Sequence, residues 1–329
     1  MQIARIPALM AGLFMAVLAG CSGGARDTDG AQAAGAPITV GFSQVGAESE
    51  WRTANTRSVK EALAAPEFEL KFSDGQQKQE NQIKALRAFI AQKVDVIAFS
   101  PVVETGWDEV LRDAKAAGIP VVLTDRAVEV ADDSLYLTLI GSDFVEEGRR
   151  AARWLIDNSQ GRSGPVRVVE LQGTVGSAPA NDRMQGFREG IGQDTRFEIV
   201  RSQSGDFTRA KGKEVMEAFI KAEGRKKIDV LFAHNDDMVI GAIQAIEEAG
   251  LKPGKDILIV SIDGVRGAFE AMKDGKLNAT VECNPLLGPQ LAQLIRDIHA
   301  GRQVPRRVVV EEGVFTSDQA AAELPNRKY

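Results

Sequence analysis

The chain has 329 residues, is 44% hydrophobic, and carries 40 Lys and Arg against 46 Asp and Glu, for a net charge of −6. That acidic balance argues against nucleic acid as a partner, because neutralising phosphates takes a concentrated basic surface. Two histidines and two cysteines in the whole chain leave no usual ligand set for a zinc or iron site, and no cofactor is expected.

Taken in chain order, Arg5 comes first, followed by an apolar run over residues 6–20 that is short for a membrane span and reads as a secretory signal. The run closes on LAGC at 18–21, which resembles the bacterial lipobox. That resemblance implies that residues 1–20 are a lipoprotein signal peptide and that Cys21 becomes the acylated first residue of the mature protein. The acyl chains would hold a soluble fold at a membrane surface. Residues 21–36 then form a flexible tether, small and polar with no apolar periodicity. With Cys21 acylated, Cys283 has no intramolecular partner, so packing alone must hold the fold.

From Ile38 onward, short β-branched runs alternate with amphipathic stretches, the signature of βαβ units and parallel sheets. The strand candidates are ITVGFSQ, FELKFSD, VDVIAFS, PVVLTD and LYLTLIGSD, then VRVVELQG, FEIVRSQSG, DVLFAHND, DILIVSIDG, NATVECN and RRVVVEEG. Helical patterns lie between them. Ile83, Leu86 and Ile90 share one face of NQIKALRAFIAQK, and Val239, Ile243 and Ile246 share one face of VIGAIQAIEEAGL. So many strands predict two similar α/β lobes rather than one doubly wound domain, with a passage between them near residues 139–143.

Open α/β sheets bind ligands beyond the carboxyl ends of their strands, and here those ends are polar. The first strand ends in Gln44 and leads to Glu48, Trp51 and Arg52. PVVLTDR ends in Asp125 and Arg126, and the strand after it in the second half leads to Asn181, Asp182 and Arg183. Others lead to Asp206 and Phe207, to Asn235 and to Asp263. Arginine donates through a planar fork, aspartate only accepts, and asparagine does both. Adjacent hydroxyls need that mixture, and an aromatic ring covers the C–H face of a sugar, so the implied ligand class is a carbohydrate. Adjacent Asp125 and Arg126 are notable because neighbouring side chains on an extended strand point to opposite faces.

The runs VGFSQVGAESEWR, DGQQKQENQIKA, ELQGTVG and RSQSGDFTRAKGKEVMEAFIKAE resemble the periplasmic sugar-binding proteins of ABC importers, of the ribose and galactose type, and within them the galactofuranose-binding members. The resemblance implies the periplasmic binding protein type I fold, two Rossmann-like lobes with a three-strand hinge and a central ligand cleft. It implies crossings near 139–141, 282–284 and 311–314, so that lobe 1 is 37–140 plus 284–312 and lobe 2 is 141–283 plus 313–329. Carried over, Glu48, Ser49, Trp51 and Arg52 match a first-lobe contact loop, and Asp125 and Arg126 its Asp-Arg pair. Arg183, Asn235 and Asp263 match second-lobe polar contacts, and Phe207 matches a ring over the sugar. Glu50 stands where Gly is expected, either altering the contact loop or facing water, and Cys283 stands where ribose binders carry Gln.

The expected function is capture of a galactofuranose-like monosaccharide in the periplasm and delivery to an ABC permease and ATPase by hinge closure. The expected form is a monomer bound to the membrane only through its lipid anchor. The alternative is a periplasmic sugar or autoinducer receptor signalling to a chemotaxis or quorum-sensing partner. An enzyme is not expected: Asp125 and Asp263 lie among arginines and asparagine, which favour ionised acceptors over the proton donor a glycosidase needs.

Overall fold

The computed structural model describes residues 36–161, 164–192, 194–224 and 227–329; the signal segment, Cys21 and nearly all of the tether lie outside the described residues. The first set of elements is β1 (Ile38–Gln44), α1 (Glu50–Ala62), β2 (Phe68–Asp74), α2 (Gln79–Ala91), β3 (Val96–Phe99), α3 (Asp108–Ala116), β4 (Val121–Thr124) and β5 (Thr138–Gly141). The second is α4 (Phe144–Asn158), β6 (Val166–Gln172), α5 (Ala178–Ile191), β7 (Phe197–Ser204), α6 (Arg209–Glu223), β8 (Val230–Ala233), α7 (Asp236–Glu248), β9 (Leu258–Asp263), α8 (Arg266–Lys273) and β10 (Ala279–Glu282). The chain closes with α9 (Gly288–His299), β11 (Arg307–Val309), β12 (Val314–Thr316) and α10 (Ala320–Glu323).

Two six-stranded sheets result, in the orders β11-β5-β4-β3-β1-β2 and β12-β10-β9-β8-β6-β7. Counted from the start of each lobe these are the same order, and every pairing is parallel except β10 with β12. These are the two α/β lobes of the type I periplasmic binding protein fold. The chain leaves the first sheet after Gly141, returns between β10 and α9, and crosses again between β11 and β12.

Strands β3, β4, β5 and β8 are buried at every position, as parallel strands are when helices cover both faces. In the first lobe, Leu86, Phe99, Trp107 and Leu111 pack on one face of the sheet, and Val40, Phe42, Val59, Leu291 and Ile295 on the other. Helix α9 therefore belongs to the first lobe despite its late place in the chain. The second lobe has one continuous core, and Trp51 from α1 reaches into it.

Several expectations shift. LYLTLIGSD contributes only Thr138–Gly141, because Asp133–Leu135 form a 3-10 turn that Asp132 caps by accepting from the Ser134 N–H. The inner face of α2 is carried by Gln82, Leu86 and Phe89, while Ile83 and Ile90 are half-buried. Gln82 turns inward because its amide donates to the Ser100 carbonyl at 2.7 Å and accepts from the Val102 N–H at 2.9 Å, so the helix braces the loop after β3. Strand β12, three residues long, carries too little pattern to be read from sequence. Among the described residues no helix is long and apolar enough to cross a membrane.

Helices α4 and α5 pack to backbone contact. A Cβ on Gly186 would lie 1.9 Å from the Val145 carbonyl oxygen, and one on Gly148 would lie 2.3 Å from that of Arg183. Gly186→Ala should therefore destabilise the protein by about 1–3 kcal/mol through overpacking, despite the roughly 1 kcal/mol that alanine contributes in a helix interior. A lowered urea midpoint checks this; a raised one would show that the helices are free to move apart.

Candidate functional site

In the first lobe the chain leaves β1 and enters α1 through Ser49, whose hydroxyl accepts the Arg52 N–H at 3.1 Å as the helix N-cap. This places Trp51 and Arg52 in the first turn, facing the carboxyl ends of the strands. The Arg52 guanidinium is fully engaged. Nε donates to Glu48 Oε1 at 3.1 Å, Nη1 to Gln44 Oε1 at 3.2 Å and Ser100 Oγ at 3.4 Å, and Nη2 to Asp125 Oδ2 at 2.7 Å.

Asp125 has φ of +64°. This left-handed turn, uncommon outside glycine, reorients the chain at the end of β4, so that adjacent Asp125 and Arg126 both line one cavity. It is possible because residue 141 is glycine: a Cβ there would lie 2.7 Å from the Asp125 carbonyl oxygen. Arg126 donates from Nη1 to the Val102 carbonyl at 3.1 Å, and its guanidinium lies 5.4 Å from the centre of the Phe207 ring. Burial, then the neighbouring Arg52, push Arg126 down to about 10, so it stays charged at neutral pH.

The second lobe supplies the facing wall. Arg183 on α5 donates from Nε to Glu147 Oε2 at 2.7 Å and from Nη1 to the His234 carbonyl at 2.6 Å, with Nη2 3.6 Å from Asp263 Oδ1. Asn235 caps α7, accepting the Met238 N–H at 3.0 Å while its amide donates to the Phe207 carbonyl at 3.2 Å. Asp263 takes φ of +126°, held there by Asp236, whose Oδ2 accepts the N–H groups of Gly264 and Val265 at 2.7 and 2.9 Å. Burial pushes Asp263 well above the carboxylate range, with Arg183 opposing. Phe207 also has positive φ, and its ring lies where a Cβ on residue 173 would be, 1.9 Å away; glycine at 173 makes room for it.

These residues surround one small cavity, lined by Glu48, Ser49, Trp51, Arg52, Asp125, Arg126, Arg183, Phe207, Asn235 and Asp263, together with Pro179 and Cys283. The ten positions carried over from the resemblance meet there. Pro179, in the first turn of α5, has no polar group to give it away. Gln44, Ser100, Glu147 and the His234 carbonyl act behind the wall and were not legible as supports. Asn181 and Asp206 lie elsewhere: the Asn181 amide donates to Glu104, and Asp206 bonds to Ser204. Asp182, pushed up to about 6 by burial and then by Glu104, lines a neighbouring crevice with Asp143 and Arg307. His234 follows β8 instead of ending it, and bonds through Nε2 to Glu170 Oε1 at 3.3 Å.

Two buried polar atoms in the wall, Glu48 Oε2 and Arg126 Nε, have no hydrogen-bond partner. An unmet buried group costs about 1–3 kcal/mol, more when charged. Among the described residues the wall thus keeps both acceptor and donor groups, opposite in charge, without hydrogen-bond partners.

The lobes are in contact around it. Across the rim, Glu50 donates its N–H to Asp237 Oδ2 at 2.7 Å, and Arg209 bridges Glu50 Oε2 at 2.9 Å and Asp237 Oδ1 at 2.6 Å. Glu50 therefore links the lobes while its side chain stays partly exposed to water. Elsewhere the Glu104 N–H donates to the Gly176 carbonyl at 2.9 Å, and Trp51 Nε1 donates to the Cys283 carbonyl at 2.6 Å.

Residues 40–303 match the family model described as a periplasmic binding protein domain. The chain belongs to that family. Among its relatives is the galactofuranose-binding protein YtfQ of Escherichia coli K12, 53% identical over 295 residues, covering 89% of this chain and 92% of the relative. A Mycobacterium smegmatis structure in complex with β-D-fucofuranose is 56% identical with a TM-score of 0.86, covering 89% and 95% of the two chains. The binding component of an arabinose ABC transporter from Shewanella sp. ANA-3, bound to α- and β-L-arabinofuranose, is 54% identical with a TM-score of 0.85, covering 88% and 95%. These periplasmic binding protein relatives are binding proteins and not enzymes, in line with the sequence reading.

Removing one partner of a buried ion pair leaves the other charge uncompensated, at about 3–5 kcal/mol. Asp125→Ala, which strips Arg52 of its 2.7 Å partner, should lower stability by that amount in urea titration. An unchanged midpoint would mean that Arg52 reaches water.

Proposed function

We propose that this chain is the solute-capturing component of an ABC importer, that it takes a monosaccharide in its five-membered ring form, and that galactofuranose is the nearest match. The observation that carries the reading is the small cavity in which Arg126 and Glu48 each keep a buried polar atom unmet beside the Trp51 and Phe207 rings. A polyol supplies what is missing, since each hydroxyl donates once and accepts on its other side. Support for the ring form comes from the relatives, whose sugars are galactofuranose, fucofuranose and arabinofuranose. The residues proposed as ligand contacts are the ten named above, with Pro179 and Cys283 completing the wall.

The cycle is closure about the three crossings. Lobe 1, residues 37–140 plus 284–312, and lobe 2, residues 141–283 plus 313–329, contact sugar together only when closed, so binding shifts the population toward that form. The closed pair then presents a surface to the permease. The protein is placed in the periplasm as a monomer, held to a membrane through acylated Cys21.

Charge-assisted hydrogen bonds contribute about 1.5–3 kcal/mol each, so Arg126→Ala should weaken sugar binding roughly ten- to hundredfold. Calorimetry on a panel of furanose-forming pentoses and hexoses reads this, and unaltered affinity would remove Arg126 from the site. The half-exposed link through Arg209 is worth at most about 1 kcal/mol, so Arg209→Ala should cost less than about fivefold. Small-angle scattering should show compaction on adding a saturating sugar; superimposable curves count against hinge closure.

A further inference from the structure

The three crossings between the lobes meet at one cluster of side chains, of which Cys283 alone also lines the sugar cavity. Ser142 lies on the first crossing, Cys283 and Asn284 on the second, and Glu312 on the third. The Ser142 hydroxyl bonds to Glu312 Oε1 and lies 3.3 Å from Cys283 Sγ, and the Asn284 N–H donates to the same Glu312 oxygen at 2.9 Å. Glu147, on α4 directly after the first crossing, completes the set: one atom each of Glu147, Cys283 and Glu312 lies within 4.8 Å of the others. Glu147 Oε2 is bonded to Arg183, and the same carboxyl lies against Cys283 and Glu312.

The charges around this cluster do not balance. Glu147 and, at the end of β9, Asp263 share the Arg183 guanidinium on α5, and Glu312 lies near Arg183 and Arg307 without an ion pair to either among the described residues. Behind Asp263 stand Asp236, which burial pushes up to about 7, and Asp237, which is paired with Arg209. The other cations nearby bond to carbonyls and face other acids: Arg150 on α4 donates to the Glu312 carbonyl at 2.5 Å and pairs with Glu146, and Arg307 on β11 donates to the Ser142 carbonyl at 2.6 Å with Asp143 also near it. Glu282 on β10 is paired with Arg327 and bonded to Tyr329, and the Cys283 thiol is pushed up by burial and then by Glu147, so it adds no charge. Two carboxyl groups this close in a dry setting do not both ionise.

We propose that Glu147 and Glu312 share one proton in the closed form and release it when the hinge opens, so that sugar capture takes up a proton and the pair positions Arg183. The proposal rests on ligand-driven closure as set out above. It is in keeping with the direction of both groups: burial and then Glu147 push Glu312 up to about 9, and burial pushes Glu147 up against the opposing pull of Arg183. Opening parts segments that lie on three separate crossings and admits water, returning the pair toward the ordinary carboxylate range. The closed form's advantage is therefore full below that range and is lost as pH rises through about 9. Between those limits affinity falls with rising pH, by up to roughly tenfold per unit for one proton.

Calorimetry at pH 7 in buffers of different ionisation heat tests this, with D-galactose and L-arabinose as probes. The expected result is uptake of up to one proton per sugar by the unaltered protein. Glu312→Gln should take up about one proton fewer and show a flatter pH dependence between pH 6 and 8, whereas uptake carried by Asp182, Asp236 or Asp263 would persist in the variant and overturn the proposal. Saturable binding with no proton uptake overturns the hinge proposal and leaves the sugar reading standing; failure of both sugars to bind removes both. Should the variant not fold, the infrared difference spectrum of the unaltered protein on adding sugar must show a protonated-carboxyl band that shifts in D2O, and its absence overturns the proposal. Affinity that responds to EDTA and not to pH would make the cluster a metal site and also overturn it.

Discussion

Placing charged groups in a cavity closed off from water is the constraint on which the rest of this structure depends. Arg52, Arg126, Glu48 and Asp125 are all nearly inaccessible, and each would carry a large desolvation cost alone. The protein meets that cost by crowding opposite charges together and by spending ordinary polar groups, Gln44, Ser100 and the Val102 carbonyl, as fixed partners. What is left over is a carboxylate oxygen of Glu48 and the Nε–H of Arg126, both without hydrogen-bond partners among the described residues. In the proposed function a sugar completes that bonding.

The two lobes reach this by the same topology used twice. Each places its first two βα units around a switch in strand order, between β1 and β3 or between β6 and β8, where a crevice opens beyond the strand ends. The repetition extends to the turns. Gln76 and Gln77 after β2, and Asp206 and Phe207 after β7, all hold positive φ, so each lobe has the same unusual two-residue turn at its edge. The side chains differ in use: Phe207 lies against Arg126 at the cavity, while Gln77 packs beside Gly46 near Glu48. Shared backbone geometry with divergent side chains lets two similar halves make an asymmetric site.

Strain is concentrated where the ligand groups stand. Asp125 and Asp263 end equivalent strands, β4 and β9, and both are non-glycine residues at positive φ, which costs on the order of 1–3 kcal/mol each. Gly141 and the four bonds accepted by Asp236 hold them there. Close glycine-mediated packing of α4 on α5 likewise delivers Glu147 to Arg183, so the helix pair that builds the second-lobe core also aims its arginine.

The sequence by itself determined the alternation of strand and helix, the division into two α/β lobes, and the polar residues gathered at strand ends, because burial of parallel strands and the chemistry of strand termini are local patterns. The conjunction of Asp125 with Arg126 was visible as an anomaly but not as a geometry: only the left-handed turn, permitted by the glycine at 141 more than a dozen residues away, decides that both line the cavity. Tertiary structure alone decided that Glu50 bridges to Arg209, that Gln82 turns inward to brace a loop, that Pro179 lines the cavity, and that Ser142, Cys283 and Glu312 converge. Each of these depends on segments far apart in the chain or on how a helix end is placed, and no periodicity along the chain encodes which distant group will complete a hydrogen bond.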